Sequence, residues 1–518
     1  MRNRFIVRLV ACFAILGLAT GFIVPVDVEV VKTDLPVLPT VEQVVYEEFS
    51  ATGSASYWVD FYSQADLSGA EKLDWSSRGW YVYEQLKKTA DESQAKFLQS
   101  LDKSGTPYQS FWIKNTVLVE NSSLNTLNAV LNFPDVERVY ARKSYFLDNA
   151  DTSSATTSLG LASIEPNLTH INADDVWSMG IDGAGLVVAN IDTGVRYTHQ
   201  ALVNQYRGNN GDGSFTHDYN WYNPDDLKDN APRDGHGHGT HTMGTILGAD
   251  GVSNTIGVAP GAEWIACVGC PDGNCTDSAL LTCGQWIAAP TNLTGASPNP
   301  DMRPNIVNNS WGDCGKNYDA WYAVVIANWH AAGIYPIFSN GNTSNCGYTK
   351  PPGLNTVGNP ARYGNVTGVG STGTQNGQYA THSNWGPTDN MDTINQTGFA
   401  DLKPQVVAPG VDIRSAVSTS DTSFAISTGT SMSAPHVAGL VALIWQAAPC
   451  MLGDYAKTEN IIEQTATDIT YDDESGATPT NFPNFATGWG EIDALAAVKQ
   501  AQIICSLNIA FYLPLVFR

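Results

Sequence analysis

Leu186-Val-Val-Ala-Asn-Ile191, running straight into Asp192-Thr-Gly194, is the stretch on which the fold turns. An uncharged, β-rich run of this length that stops at a glycine reads as a strand buried on both faces. Three more runs of the same kind follow: Trp264-Ile-Ala-Cys-Val268, Asn305-Ile-Val307 and Ile334-Tyr-Pro-Ile-Phe338. Helical patterns separate them. Apolar strands alternating with helices predict an α/β fold, a mainly parallel sheet with helices on both faces. In open sheets of this type, active sites gather beyond the carboxyl ends of the strands. Asp192 stands at such an end and is the first candidate.

Upstream of this region the pattern changes. Residues 57–62 suit a strand, and Val82, Leu86, Ala90, Phe97 and Leu101 recur at helical spacing between Arg78 and Lys103. Phe111–Glu120 reads as one or two strands. Ser122–Phe133 reads as a helix with Leu124, Leu127, Val130 and Leu131 on one side, and Val136–Ala141 as a last strand. The order β-α-β-β-α-β predicts a ferredoxin-like α+β domain over residues 51–148. Residues 149–505 form the larger domain, entered through the polar, Ser- and Thr-rich stretch Asp148–Asn167. Residues 25–50 show no period and read as linker. Residues 1–24, with Arg2, Arg4 and Arg8 before the apolar run Leu9–Val24, read as an export signal or a short membrane anchor. The tail 506–518 is apolar.

The net charge of the 518-residue chain is −24, which argues against a nucleic-acid partner, since phosphate is met by Lys and Arg. Of the nine cysteines, Cys12 lies in the apolar leader. The other eight are Cys267, Cys270, Cys275, Cys283, Cys314, Cys346, Cys450 and Cys505. An even set in an exported chain predicts disulfides. The cluster from Cys267 to Cys283 also has the residue types for zinc, and spacing alone leaves that open.

Two further segments carry chemistry. His238 lies in His236-Gly-His-Gly-Thr-His241, where Gly237 and Gly239 clear space around the imidazole. The three histidines could instead bind metal. Ser431 lies in Gly429-Thr-Ser-Met-Ser-Ala-Pro-His436, with a helical run after it. That puts Ser431 at a helix N-terminus, where a developing anion is favoured. The segment is not Gly-x-Ser-x-Gly, which speaks against an α/β-hydrolase esterase or lipase. A serine hydroxyl becomes a nucleophile when a histidine takes its proton and a buried carboxylate orients the histidine. Asp192, His238 and Ser431 supply all three.

Asp192-Thr-Gly194, His238-Gly-Thr-His241 and Gly429–His436, in that order, resemble the three signatures of the subtilisin-like serine proteases. Gly257–Ala266 and Val307-Asn-Asn-Ser-Trp-Gly312 look most like the bacillopeptidase F branch. The resemblance implies a secreted, monomeric serine endopeptidase with Asp192, His238 and Ser431 as its triad. It also implies autoprocessing, with residues 51–148 as an inhibitory propeptide whose end, Ser144-Tyr-Phe-Leu147, lies in the active site. Asn342 matches the oxyanion-hole asparagine. Ser310, Trp311 and Gly312 match one wall of the substrate cleft and Ser339, Asn340 and Gly341 the other. Gly358 matches the base of the S1 pocket, which implies depth for medium to large apolar P1 residues. No cofactor or metal ligand is implied. The family's calcium aspartate after the His-Pro pair is missing, because His199 is followed by Gln200 and Ala201. Calcium stays open as a structural ion at the insertion holding Asp212, Asp218, Asp225, Asp226 and Asp229. In the implied fold Cys314 and Cys346 flank one pocket and are expected to pair, as are Cys450 and Cys505.

Overall fold

A computed structural model describes residues 39–147, 151–153, 163–252, 254–373, 377–388, 402–469 and 483–512. The expected leader or anchor, residues 25–38 of the expected linker and the end of the tail lie outside the described residues.

The first strands and helices are β1 (Thr40–Val41), α1 (Gln43–Thr52), β2 (Ala55–Phe61), α2 (Trp75–Ser104), β3 (Tyr108–Phe111), β4 (Thr116–Ser122), α3 (Leu124–Val130) and β5 (Val136–Ala141). Their sheet has the order β1-β5-β2-β4-β3, with β2 antiparallel to both β4 and β5. This is the ferredoxin-like arrangement, extended at one edge. The extension corrects the linker reading of 25–50: residues 43–52 are a helix, and Val45 and Phe49, four apart, are buried. Leu124 also departs from expectation. It is 46% exposed, because α3 is a short helix that turns only Leu127 and Val130 inward.

After β5 come β6 (Ser144–Leu147), β7 (Asp151–Ser153), β8 (Ser163–Ile164), α4 (Pro166–His170), α5 (Ala173–Trp177), β9 (Val187–Asp192), β10 (Trp221–Tyr222), α6 (His238–Leu247), β11 (Asn254–Thr255), β12 (Glu263–Val268), β13 (Asn274–Thr276) and α7 (Asp277–Ala288). They are followed by β14 (Ile306–Asn309), β15 (Trp311–Gly312), α8 (Ala323–Ala331), β16 (Tyr335–Ser339), α9 (Thr343–Cys346), β17 (Thr367–Gly373), β18 (Val406–Val411), β19 (Ile413–Ala416), β20 (Phe424–Thr428), α10 (Thr430–Ala447), α11 (Tyr455–Thr465) and α12 (Ala494–Tyr512). α12 runs past Cys505, so the described part of the apolar tail continues a helix rather than forming a separate segment.

Seven strands form one all-parallel sheet in the order β10-β12-β9-β14-β16-β17-β18. Successive strand residues face opposite ways, and here both faces are dry. Val188, Ile306 and Ile337 join a core with α6, α10 and α12. Ala189, Val307 and Phe338 join a second core with α7 and α8. Trp58, Val82, Leu86 and Trp112 of the N-terminal domain complete that second core. The N-terminal domain therefore packs on α7 and α8.

Polar ties cross the same face. Arg303, 2% exposed, donates to Pro300 O (2.8 Å), Ala332 O (3.0 Å) and Trp75 O, and its guanidinium lies 3.9 Å from the Trp75 ring centre. Burial pushes it down to about 9. Asn328 Nδ2 donates to Ile113 O at 2.6 Å, and Trp112 N donates to Gln285 Oε1 at 2.9 Å.

Candidate active site

Asp192 is the last residue of β9, His238 the first of α6 and Ser431 the second of α10. β9 is an interior strand of the sheet, between β12 and β14, and α6 and α10 pack together on one side of it. Gly239 allows α6 to come this close: a Cβ there would lie 2.2 Å from Gly194 O. His238 Nδ1 donates to Asp192 Oδ1 at 2.8 Å. The same carboxylate accepts from Thr193 N at 2.7 Å and from Thr242 Oγ1 at 3.4 Å. Asp192 is fully buried and His238 nearly so.

Ser431 lies in the first turn of an 18-residue helix, whose leading N–H groups have no partner within the helix. Pro435 has no N–H to offer the carbonyl of Ser431 four residues back. Ser310 Oγ takes that place, donating to Ser431 O at 3.3 Å, while Ser431 Oγ lies 3.5 Å from Ser310 O. Asn342 follows β16. Its Oδ1 accepts from Thr430 N (3.0 Å) and Thr430 Oγ1 (3.1 Å), which fixes the amide with its NH2 end turned away from Thr430.

Several supporting residues were not legible as motifs. Asp234 Oδ1 accepts from Gly237 N (2.7 Å), His236 N (3.0 Å) and Thr193 Oγ1 (2.9 Å). Its Oδ2 accepts from Thr240 N (2.9 Å) and Thr240 Oγ1 (2.6 Å). One carboxylate thus ties the start of α6 to the residue after Asp192. Behind them, Asn308 Nδ2 donates to Asn190 Oδ1 at 2.9 Å, and Asn190 Nδ2 to Thr242 Oγ1 at 2.8 Å. An aspartate four before a histidine, and asparagines inside apolar strands, are the only sequence signals these residues leave.

The cleft is occupied by the chain itself. β6 pairs antiparallel with β13 on one side and β15 on the other, with Trp311 opposite Leu147 and Gly312 opposite Phe146. β7 pairs with β20, with Asp151 opposite Thr428, three residues before Ser431. Residues 148–150, which join β6 to β7, lie outside the described residues.

The profile of the subtilase family, peptidase S8, matches residues 183–490. The chain belongs to the subtilase family of serine endopeptidases. It is 36% identical to bacillopeptidase F of Bacillus subtilis (strain 168) over 449 residues, 83% of this chain but 29% of that protein. It is 31% identical to subtilisin DY of Bacillus licheniformis over 300 residues, 58% of this chain and 90% of that one. Among solved structures, it resembles fervidolysin from Fervidobacterium pennivorans, a keratinolytic enzyme related to subtilisin. There the TM-score is 0.55 at 19% identity, covering 86% of this chain and 61% of the other, which speaks to fold alone.

In this subtilase chain Ser339 ends β16, and Asn340 and Gly341 follow it, buttressed by a loop: Asn384 N donates to Gly341 O at 3.0 Å. At Gly358 a Cβ would lie 2.0 Å from Asp313 O, so a close approach of two loops calls for glycine there. The histidine cluster separates: His241 donates from Nε2 to Ile413 O (3.1 Å), away from the His238–Asp192 pair. Burial pushes both His241 and His436 down to about 4. The cysteines pair as Cys267–Cys283, Cys270–Cys275, Cys314–Cys346 and Cys450–Cys505, which removes the zinc reading of the first cluster. Two of these bonds adjoin the strands that pair with β6: Cys275 lies in β13, and Cys314 two residues after β15. Among the described residues no group of three His, Cys, Asp or Glu is arranged to hold a metal ion. In the acidic insertion, Asp212 meets Ser214, Asp218 accepts from Leu293 N, and Asp229 meets Asn223 and Arg233. No described helix is long and apolar enough to cross a membrane.

Proposed function

We propose that this chain is an exported serine endopeptidase made as a precursor and cut by its own active site. Asp192, His238 and Ser431 act as the triad. Asn342 and the Ser431 N–H form the oxyanion hole. Residues 40–147 are an inhibitory propeptide. The observation that carries this reading is the course of the chain past Ser431, paired as an extended strand with β13 and β15 before it and with β20 after it.

In the forward reaction, Ser431 Oγ attacks the scissile carbonyl as His238 Nε2 takes its proton. Asp192 holds the Nδ1–H tautomer and stabilises the imidazolium. The developing oxyanion meets the Asn342 amide and the first turn of α10. His238 then passes the proton to the leaving amine, and water releases the acyl group by the same route reversed. Ser310, Trp311 and Gly312 pair with the substrate strand on one side; Ser339, Asn340 and Gly341 wall the other. In the precursor the bond to be cut is already tethered at the nucleophile, so no binding step precedes the cut.

Purified, protease-free refolding of wild type and Ser431→Ala tests this. The wild type loses residues 40–147 and labels with a fluorophosphonate; the variant keeps them and does not label. A variant trimmed to the wild-type N-terminus ends the self-processing reading.

A further inference from the structure

Two acidic side chains of the larger domain stand beside the groove and are used by no step above. Asp277, the first residue of α7, is fully buried. Its Oδ1 accepts from Arg142 Nε at 2.7 Å, and its Oδ2 from Lys143 N at 2.7 Å and Trp58 Nε1 at 2.6 Å. Those three donors belong to the N-terminal domain and the strand it feeds into the groove. From its own helix Asp277 has Ser278 N, 2.8 Å from Oδ1. Asp319 pairs with Lys143 Nζ, while its other oxygen caps the turn at Trp321 N, 3.1 Å away. Two residues further along the strand, Tyr145 is 5% exposed. Its ring stacks on Trp321 (centroids 5.1 Å apart) and meets Trp311 edge-on at 5.7 Å.

Arg142, Lys143 and Tyr145 are thus three successive anchors of a peptide that runs into the groove in the direction of Ser431. When that peptide and the N-terminal domain leave, Asp277 loses the Arg142 guanidinium, the Lys143 N–H and the Trp58 indole N–H together. Their departure uncovers the carboxylate, which then stands at the first position of α7 open to a new cationic or N–H partner. A following peptide strand restores the backbone N–H by its pairing. A cationic side chain at the position of Arg142 restores the charge.

We infer that Asp277 and Asp319 form a distal subsite of the released cleft that selects peptides carrying two basic residues just upstream of an aromatic anchor. The arrangement Arg-Lys-x-aromatic, as in Arg142-Lys-Ser-Tyr145, is its signature. The inference rests on the protease reading above and adds a substrate class to it.

The test uses the full-length chain after purification and refolding, with a quenched fluorescent decapeptide of residues 142–151. Two partners accompany it: the same peptide with alanine at the first two positions, and an isomer with Arg-Lys moved to its C-terminal end. The isomer keeps the net charge, so it separates this subsite from the general pull of an acidic protein on cations. The parent peptide should exceed the alanine peptide about tenfold in kcat/KM, mostly through KM, as expected of one charge-assisted contact on a partly enclosed carboxylate. The isomer should behave like the alanine peptide. In Asp277→Asn the ratio of parent to alanine peptide should collapse towards one, and in Asp319→Asn it should shrink. The comparison between peptides needs no variant to fold. Cleavage of all three peptides at one rate overturns the subsite and leaves the protease standing. A chain that cuts neither peptides nor casein and takes no fluorophosphonate label brings down both.

Discussion

The cleft and the face that receives the N-terminal domain treat buried polar groups in opposite ways. In the cleft, Asp192 is held by Thr193, Thr242 and His238, all of the larger domain. Asp234, Asn190 and Asn308 extend the same internal network. At the docking face, Asp277 and Arg303 draw donors or acceptors from residues 58, 75, 142 and 143. The network around Asp192 therefore closes within the larger domain, whereas the docking face shares part of its polar partners with the N-terminal domain. Preorganised groups belong where charge must develop quickly. Borrowed partners belong where an interface has to come apart.

The largest effect should come from removing the nucleophile. Ser431→Ala is expected to lower kcat on casein by about 10⁶, the magnitude known for the serine of a subtilisin, without weakening the docking face. Near-normal turnover by that variant would dismantle the triad assignment. Next, Asn342→Leu should cost about 10²–10³ in kcat with little change in KM, again the subtilisin scale for one oxyanion donor. A loss that fell on KM instead would make Asn342 a substrate-binding group.

Acid should strike the cleft from within. His241 and His436, both fully buried, sit at about 4 because burial penalises the imidazolium, against an ordinary value of 6.5. A depressed folded value means that their stabilising contribution is complete above about pH 6.5 and drains away as pH falls towards 4. Urea unfolding should lose roughly 1–3 kcal/mol per histidine over that window. His436→Gln, which replaces the ring that accepts from Asn167 Nδ2 (2.8 Å) and donates to Met432 O (2.8 Å), should flatten the slope. An unchanged slope would shift the acid response to other groups.

The smallest effect sharpens the other half of the comparison. Trp58→Phe keeps a ring but removes the indole N–H at 2.6 Å from Asp277. The precursor of an otherwise inactive Ser431→Ala chain should lose about 1.5–3 kcal/mol, the worth of a hydrogen bond to a charged group. The loss should be read as earlier release of the N-terminal domain in limited proteolysis, with cleft residues equally protected.

The same division explains what could be read beforehand. Asp192, His238 and Ser431 stand out as candidates because each sits in a run of small residues at an element boundary, whereas Asn342 was legible only through the family resemblance. The strands announce themselves through continuous apolar runs, as at Leu186–Ile191. Asp234 and Asp277 stayed silent, since a lone aspartate in a polar stretch has no period and its partners lie across the fold. α1 was missed because a ten-residue helix with two buried positions offers too little pattern to separate it from a linker. At Gly358 the approach of Asp313 is visible only in three dimensions.

The wide, tied contact between the N-terminal domain and α7 and α8 also shapes how a population of these molecules comes alive. Under the proposed self-processing, one cut beside Ser431 would leave the severed domain still seated, with its last strand plugging the groove, and each molecule would stay silent until its plug dissociated or was digested. The first few to shed it would destroy the plugs of the rest. Activity in a fresh preparation should therefore rise after a lag and along a sigmoid, and a trace of mature enzyme added as seed should shorten the lag.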